Sequence, residues 1–139
     1  MTRDDIPKLV TLWLQSYPGE LVAQTTAAEV CADWTAAFNN EYGLLNYPAS
    51  LLIEQDGEVI AAVQTVVNAV WDDTPPGPFI IEMIVHPTWQ QRGIGRAILR
   101  QALAALPIQG FHTVALRAEK DNTPAQCLYR SIGFTDWRH

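Results

Sequence analysis

The sequence predicts an α/β domain built on a mixed sheet, in which an antiparallel hairpin is followed by a parallel strand–helix–strand unit and helices flank both. Three observations lead there. Two segments with helical periodicity open the chain, Asp56-Gly57 separates two runs rich in Leu, Ile and Val, and beyond residue 79 strand-like and helix-like runs alternate. At 139 residues, 48% apolar and 17% charged, the chain has the size and the material for one core, so a single domain over residues 1–139 is expected.

The first helix is expected from Asp5 to about Tyr17, with Ile6, Leu9, Val10, Trp13 and Leu14 at helical spacing. Asp4 or Asp5 can cap it, Pro7 is tolerated in its first turn, and Pro18-Gly19 stops it. A second helix is expected over Thr26–Phe38, striped by Val30, Trp34 and Ala37 or Phe38. Ala49–Glu54 and Glu58–Val70 read as the two strands of a hairpin, because Asp-Gly supplies the two positive φ values of a type I′ turn. Trp71–Pro78 is a loop by composition. Phe79–Val85 is a near-continuous apolar run, expected to be a strand buried on both faces and ended by His86-Pro87. Gly93–Leu106 returns to helical periodicity, and Phe111–Ala118 alternates like a strand, parallel to the preceding one with a right-handed crossover. A last short helix is expected with Thr123 as N-cap, Pro124 at its first position and Gly133 as C-cap.

Composition narrows the function classes. The start of the chain has no apolar run and the longest apolar stretch is too short to span a bilayer, which points to a soluble, cytoplasmic protein without a membrane partner. Cys31 and Cys127 have no metal-ligand spacing, so no metal is expected, and both are expected as buried free thiols. The charge is uneven. Residues 1–91 carry twelve acids against Arg3 and Lys8, a net of −10, whereas residues 92–139 carry seven bases against three acids, a net of +4. An acidic chain is a poor partner for nucleic acid, but a local basic segment suits a small polyanion.

The most informative stretch is Gln90-Gln91-Arg92-Gly93-Ile94-Gly95-Arg96, where a buried strand runs into a helix. The first N–H groups of a helix lack intrahelical partners and the helix dipole favours negative charge there. Gly93 and Gly95 would let a diphosphate approach those groups, while Arg92, Arg96 and Arg100 add charge. A third glycine of the dinucleotide fingerprint is absent, since Ile98 fills its place, and no Gly-Lys-Ser/Thr follows as in a P-loop. Glu82 is the one ionisable side chain in the Phe79–Val85 strand. Burial there would raise its pKa towards the range of a useful base; a strand-face Glu paired with an arginine, or turned to solvent, is the other reading. His86 is a further candidate base, or a plain surface residue. Acids and aromatics in the first half, Glu20, Glu41, Asp72 and Asp73 with Trp34, Tyr42, Tyr47 and Trp71, suit a cationic amine.

Gln90-x-x-Gly93-x-Gly95, preceded by Ile84-Val85-His86-Pro87, resembles the coenzyme A loop of the GNAT superfamily of acyl-CoA-dependent N-acyltransferases. Asn122, Ala125, Leu128-Tyr129 and Gly133-Phe134 are similar to that family's Asn-x-x-Ala-x-x-x-Tyr-x-x-x-Gly-Phe signature. The two blocks cover residues 79–134. The resemblance implies a GNAT-like sheet and transfer of an acetyl group from acetyl-CoA to a primary amine, on a small molecule or a peptide, by direct attack on the thioester. It implies that the backbone amides of Gln91 to Arg96 bind the diphosphate, that Ile84 and Val85 pair with the pantetheine arm, and that Asn122 hydrogen-bonds that arm. Tyr129 would protonate the leaving thiolate, although a core aromatic on an apolar helix face is the competing reading. Measured against the family, the first and last strands look missing or shortened, which would leave the Phe111–Ala118 edge partly unpaired and suggests a homodimer. An acetyl-CoA-binding sensor of the same fold without turnover, and an unrelated α/β interaction domain with a chance anion turn, are the alternatives.

Overall fold

The computed structural model describes residues 1–119 and 122–137; Lys120, Asp121 and Arg138, counted above among the C-terminal charges, and His139 lie outside them. A 3-10 turn over Arg3–Asp5 leads into α1 (Ile6–Ser16), followed by α2 (Gly19–Ala23), α3 (Ala27–Phe38), β1 (Leu51–Gln55), β2 (Glu58–Val66), β3 (Phe79–Val85), α4 (Ile94–Ala104), β4 (Ala115–Leu116) and α5 (Thr123–Ile132). The four strands lie in the order β1-β2-β3-β4, with β1–β2 and β2–β3 antiparallel and β3–β4 parallel. The mixed sheet is therefore the expected one.

The apolar stripes explain the layering. Leu9 and Leu12 of α1 and Val30, Trp34 and Phe38 of α3 pack with Ala62 and Ile84 on one face of the sheet. Ile98, Leu99 and Ala102 of α4 and Tyr129 of α5 pack with Ala61, Val63 and Ile80 on the other. Alternation along β2 sends Ala61 and Val63 one way and Ala62 the other, so one strand serves two cores. Asp56 and Gly57 take φ values of 53° and 81°, as the hairpin turn requires.

Several boundaries differ from expectation for physical reasons. Asp5 occupies the N-cap position of α1, but its carboxylate accepts from Thr2 N at 2.7 Å instead of capping α1, because the 3-10 turn feeds straight into the helix. Pro18-Gly19 ends α1 and starts the short α2, which has no long apolar stripe to announce it. β2 stops at Val66, where Leu45 pairs with it and Val67 N donates to Leu44 O, so residues 67–70 leave the sheet. Asn122, not Thr123, caps α5: its side chain accepts from Ala125 N at 3.2 Å, which places Pro124 at the second helical position. Cys31 and Cys127 are exposed, not buried. Each lies beside the buried stripe of its helix, next to Val30 and Leu128, and small neighbours in sequence are not neighbours on a helix face. Among the described residues no helix is long and apolar enough to cross a membrane.

β4 is the largest departure, two residues where eight were expected. The cause lies in its partner. The β2–β3 register shifts between Gln64 and Thr65, pairing Gln64 with Glu82 but Thr65 with Ile80, so Ile81 is an extra residue in β3. A bulge bends its strand and disrupts pairing locally. The β3–β4 ladder stops there, at Ile80↔Leu116. Beyond it the two parallel strands part.

Candidate active site

The bulge aims Ile81 and Glu82 into a cleft of about 230 Å³. Trp34, Tyr42 and Trp71 form its aromatic walls, Asp33 stands at its rim, and Gln64 lies beside Glu82 at its floor. The walls are held in place by polar contacts. Tyr42 donates its hydroxyl to Asp33 Oδ1 and stacks on Trp71 with ring centroids 5.9 Å apart, and the Arg117 guanidinium lies over the other part of that assembly, 5.4 Å from the Trp71 ring centroid. Arg117 also pairs with Asp73, which ties the Trp71 loop to the end of β4.

Glu82 keeps part of its surface on the cleft, while its carboxyl group is largely shielded from water by the surrounding protein. Burial pushes its pKa up to about 7; the Tyr17 hydroxyl, donating at 2.6 Å to Oε1, works in the opposite direction, and the charge of Asp33 adds a further upward push. A carboxylate that titrates near neutrality can take a proton from an ammonium or amine and release it again. No arginine pairs with it among the described residues. Burial, and then the nearby Glu82, push Tyr129 up to about 12, so its hydroxyl stays protonated. Tyr129 is 9% exposed, edge-on to Phe134, and faces the α4 side of the sheet.

Beyond Ile80↔Leu116, the edge of β3 that runs from Glu82 towards the following loop is not paired by β4. His86 N donates to Ile60 O, so the alternation of an antiparallel ladder turns the backbone of Ile84 towards β2 and that of Met83 and Val85 towards that edge. The Val85 carbonyl indeed lies on that side, where it accepts from Gln90 Nε2 at 3.0 Å. Ile84, by contrast, is 5% exposed in the α1–α3 core.

In the loop, Gln91 and Gly93 both have positive φ, 61° and 83°, which curls the backbone into a concavity before α4. Thr26 and Asn122 cap α3 and α5 with their side chains, but the N-cap of α4 is Gly93, which has none to offer. The first N–H groups of Ile94, Gly95 and Arg96 therefore lack a capping side chain in a loop whose Gln90–Gly93 segment is exposed. Arg92 lies over the Trp89 ring at 5.3 Å, and Arg96 donates to Ser131 Oγ of α5 at 2.8 Å. The two glycines have different reasons. A Cβ on Gly93 would meet nothing within 4 Å, whereas one on Gly95 would lie 3.2 Å from Leu128 Cδ2 and 3.4 Å from Val85 Cγ2. A side chain at position 95 would thus crowd the packing of α4 on β3 and α5.

Other sequence candidates fall elsewhere. Asn122 uses its side-chain oxygen on Ala125 N. The His86 ring accepts from Thr88 N at 3.2 Å and caps the turn over Pro87–Trp89. Glu20, Glu41, Asp72, Asp73 and Tyr47 do not line the cleft, whereas Trp34, Tyr42 and Trp71 do. Tyr17, Asp33, Gln64 and Met83 were not anticipated. The signal for Asp33 was its place next to Trp34; Gln64, the polar break in the apolar run of β2, was visible but had no partner assigned.

This architecture has counterparts among known proteins. The profile of the acetyltransferase (GNAT) family matches residues 7–134. A mycothiol acetyltransferase from Arthrobacter sp. (strain FB24) is 30% identical over 119 residues, covering 86% of this chain and 34% of that protein. Among solved structures, an aminoglycoside antibiotic 6′-N-acetyltransferase from Acinetobacter haemolyticus superimposes with a TM-score of 0.73 at 18% identity, over 100% of this chain and 90% of that one. An aminoglycoside N-acetyltransferase in complex with CoA gives 0.74 at 18% identity, over 100% and 87%. The helix-flanked mixed sheet, with a strand–loop–helix turn between β3 and α4, is the fold shared with these N-acetyltransferases. The chain belongs to the acetyltransferase (GNAT) family. It spans about a third of the length of the curated relatives it matches.

Proposed function

We propose that this domain transfers an acetyl group from acetyl-CoA to the primary amine of a small, cationic acceptor bound between Trp34, Tyr42 and Trp71. The observation that carries the reading is the Ile81 bulge, beyond which β4 no longer pairs with β3, leaving the β3 edge between Glu82 and the uncapped start of α4 open among the described residues. A thioester laid along that edge would present its carbonyl between Glu82 on one side and Tyr129 on the other. The residues fit such a molecule. Backbone N–H groups from Gln91 to Arg96, with Arg92 and Arg96, suit a diphosphate, and the outward backbone of Met83 and Val85 suits an amide-bearing arm that adds to a strand edge. Asn122, at the start of α5, retains its amide nitrogen for that arm.

Acetyl-CoA supplies the activated acyl group. Asp33 and ionised Glu82 attract the ammonium form of the acceptor, and the aromatic walls add a cation–π contribution. Glu82 then takes the proton that makes the amine nucleophilic. As the C–N bond forms and the C–S bond breaks, the nitrogen sheds its second proton to solvent and Tyr129 gives its proton to the departing sulfur, recovering one from solvent, so that an amide and a free thiol result. Both β1 and β4 are sheet edges among the described residues; a homodimer that covers the β4 edge is the assembly we favour, and light scattering at micromolar concentration showing a monomer would exclude it.

Calorimetric titration with acetyl-CoA, followed by a thiol-release assay over a panel of amines, tests the reading. One binding site per chain and amine-dependent thiol release support it. Folded protein that binds no acetyl-CoA, or binds it and releases no thiol with any amine, overturns it.

A further inference from the structure

Gln64 is 1% exposed, lies on the floor of the cleft, and its Nε2 has no hydrogen-bond partner among the described residues. Buried carboxamides are ordinarily paired, and buried hydroxyls in β2 and just before β1 are: Thr65 Oγ1 donates to Ala49 O at 2.8 Å, and Ser50 Oγ donates to Asn46 O at 2.7 Å; Ser16 Oγ of α1 is the other buried side-chain atom without a partner among the described residues. Gln64 stands directly opposite Glu82 in the β2–β3 ladder, on the same face. Their Cβ atoms are thus about 5 Å apart, close enough for both head groups to touch one small molecule. A donor left unmatched beside the proton acceptor is costly to the fold and has no use within it. It has a use if the acceptor completes it.

We propose that Gln64 is a specificity-determining residue, whose carboxamide hydrogen-bonds an oxygen carried on the carbon next to the amine-bearing carbon, so that the acceptors are 1,2-amino alcohols and their relatives, not plain alkylamines. The spacing fits. An amine directed at Glu82 places an oxygen one carbon further along within reach of the neighbouring carboxamide, and a hydroxyl can both donate to and accept from an amide. Sites built around such a bond reject analogues that lack the oxygen, because the site's own polar group is then left unpaired. This assignment rests on the transferase reading above.

The test compares ethanolamine with propylamine as acceptors in the parent and in Gln64→Met, which keeps side-chain length and removes both polar atoms. The parent is expected to prefer ethanolamine in kcat/KM by at least about tenfold, the scale on which a well-made polar contact discriminates. In Gln64→Met that preference should fall to near one, because kcat/KM for ethanolamine drops relative to that for propylamine, with acetyl-CoA affinity unchanged. The melting temperature of the variant should equal or exceed that of the parent, since an unmatched buried donor has been removed. A preference that survives the substitution, or a large drop in melting temperature showing that the carboxamide is a structural partner, overturns the assignment while leaving the transferase reading standing. Failure of the parent to acetylate any amine sinks the transferase reading and this assignment with it.

Discussion

The Tyr17 hydroxyl donates a 2.6 Å hydrogen bond to Oε1 of Glu82, linking the end of the first helix to the bulged strand across 65 residues of sequence. The bond favours the ionised carboxylate, so it holds the Glu82 pKa below where burial alone would put it. In Tyr17→Phe that restraint is lost, and the pKa should rise above about 7. If ionised Glu82 is the base, the acidic limb of the kcat/KM profile then moves to higher pH while the plateau at alkaline pH is largely retained. An unmoved limb would show that another group sets it.

Glu82 also predicts a pH dependence of stability. Its pKa is raised from the ordinary 4.5 to about 7 on folding, so folding disfavours its charged form. The stability associated with the neutral form is fully present below about pH 4.5 and is lost as pH rises through 7. Glu82→Gln, which cannot ionise, should therefore gain on the parent progressively between pH 4.5 and 7, by on the order of 3 kcal/mol at most, and hold that margin above. Urea unfolding across this range checks it. The same variant should lose at least about 100-fold in kcat, the usual contribution of a positioned base.

Tyr129→Phe separates the two readings of that residue. A core aromatic would lose almost nothing, because Phe preserves the edge-on contact with Phe134 and the packing against α4. A general acid would lose roughly 100-fold or more in kcat with acetyl-CoA affinity unchanged. A stopped-flow or thiol-release measurement beside calorimetry distinguishes them. A kcat within twofold of the parent would remove Tyr129 from the chemistry.

The parts of the fold that periodicity controls were legible in the sequence, and so was the turn at Asp56-Gly57. The β3 limits, Phe79 to Val85, coincide with the apolar run because that strand lies between two neighbours and two cores. What the sequence did not reveal arises from pairing across the chain. The Ile81 bulge has no local signature, since it exists only relative to β2, yet it shortens β4, leaves the β3 edge unpaired beyond it and turns Glu82 into the cleft. Ile84 and Met83 differ in the sequence by one position, and only the ladder register decides which backbone faces that edge. The aromatic part of the cleft was readable from Trp34, Tyr42 and Trp71. Of its acids, Glu82 was readable as the one ionisable side chain of its strand; Asp33 was not, because the composition of the loops drew attention to Asp72 and Asp73, whereas Asp33 comes from a helix and Asp73 is held by Arg117.

The two glycines of the loop make the last prediction, because the sequence treated them alike and the structure does not. Gly95→Val would drive methyl groups into Leu128 and Val85 and should cost roughly 1–3 kcal/mol by overpacking. Gly93→Ala meets no atom within 4 Å, but its φ of 83° is left-handed, which costs about 1 kcal/mol for an alanine. Ligand-free denaturation of the two variants should therefore show the larger loss at Gly95, although Gly93 is the more exposed residue. Acetyl-CoA affinity should rank them differently. At Gly93 the strain falls on the backbone proposed to bind the diphosphate, so binding should weaken by more than the small stability loss suggests. At Gly95 a helix displaced from β3 would weaken binding in step with the stability loss. Equal stability losses at the two positions would mean that α4 can shift off α5 at little cost, and the packing reason for Gly95 would have to be abandoned.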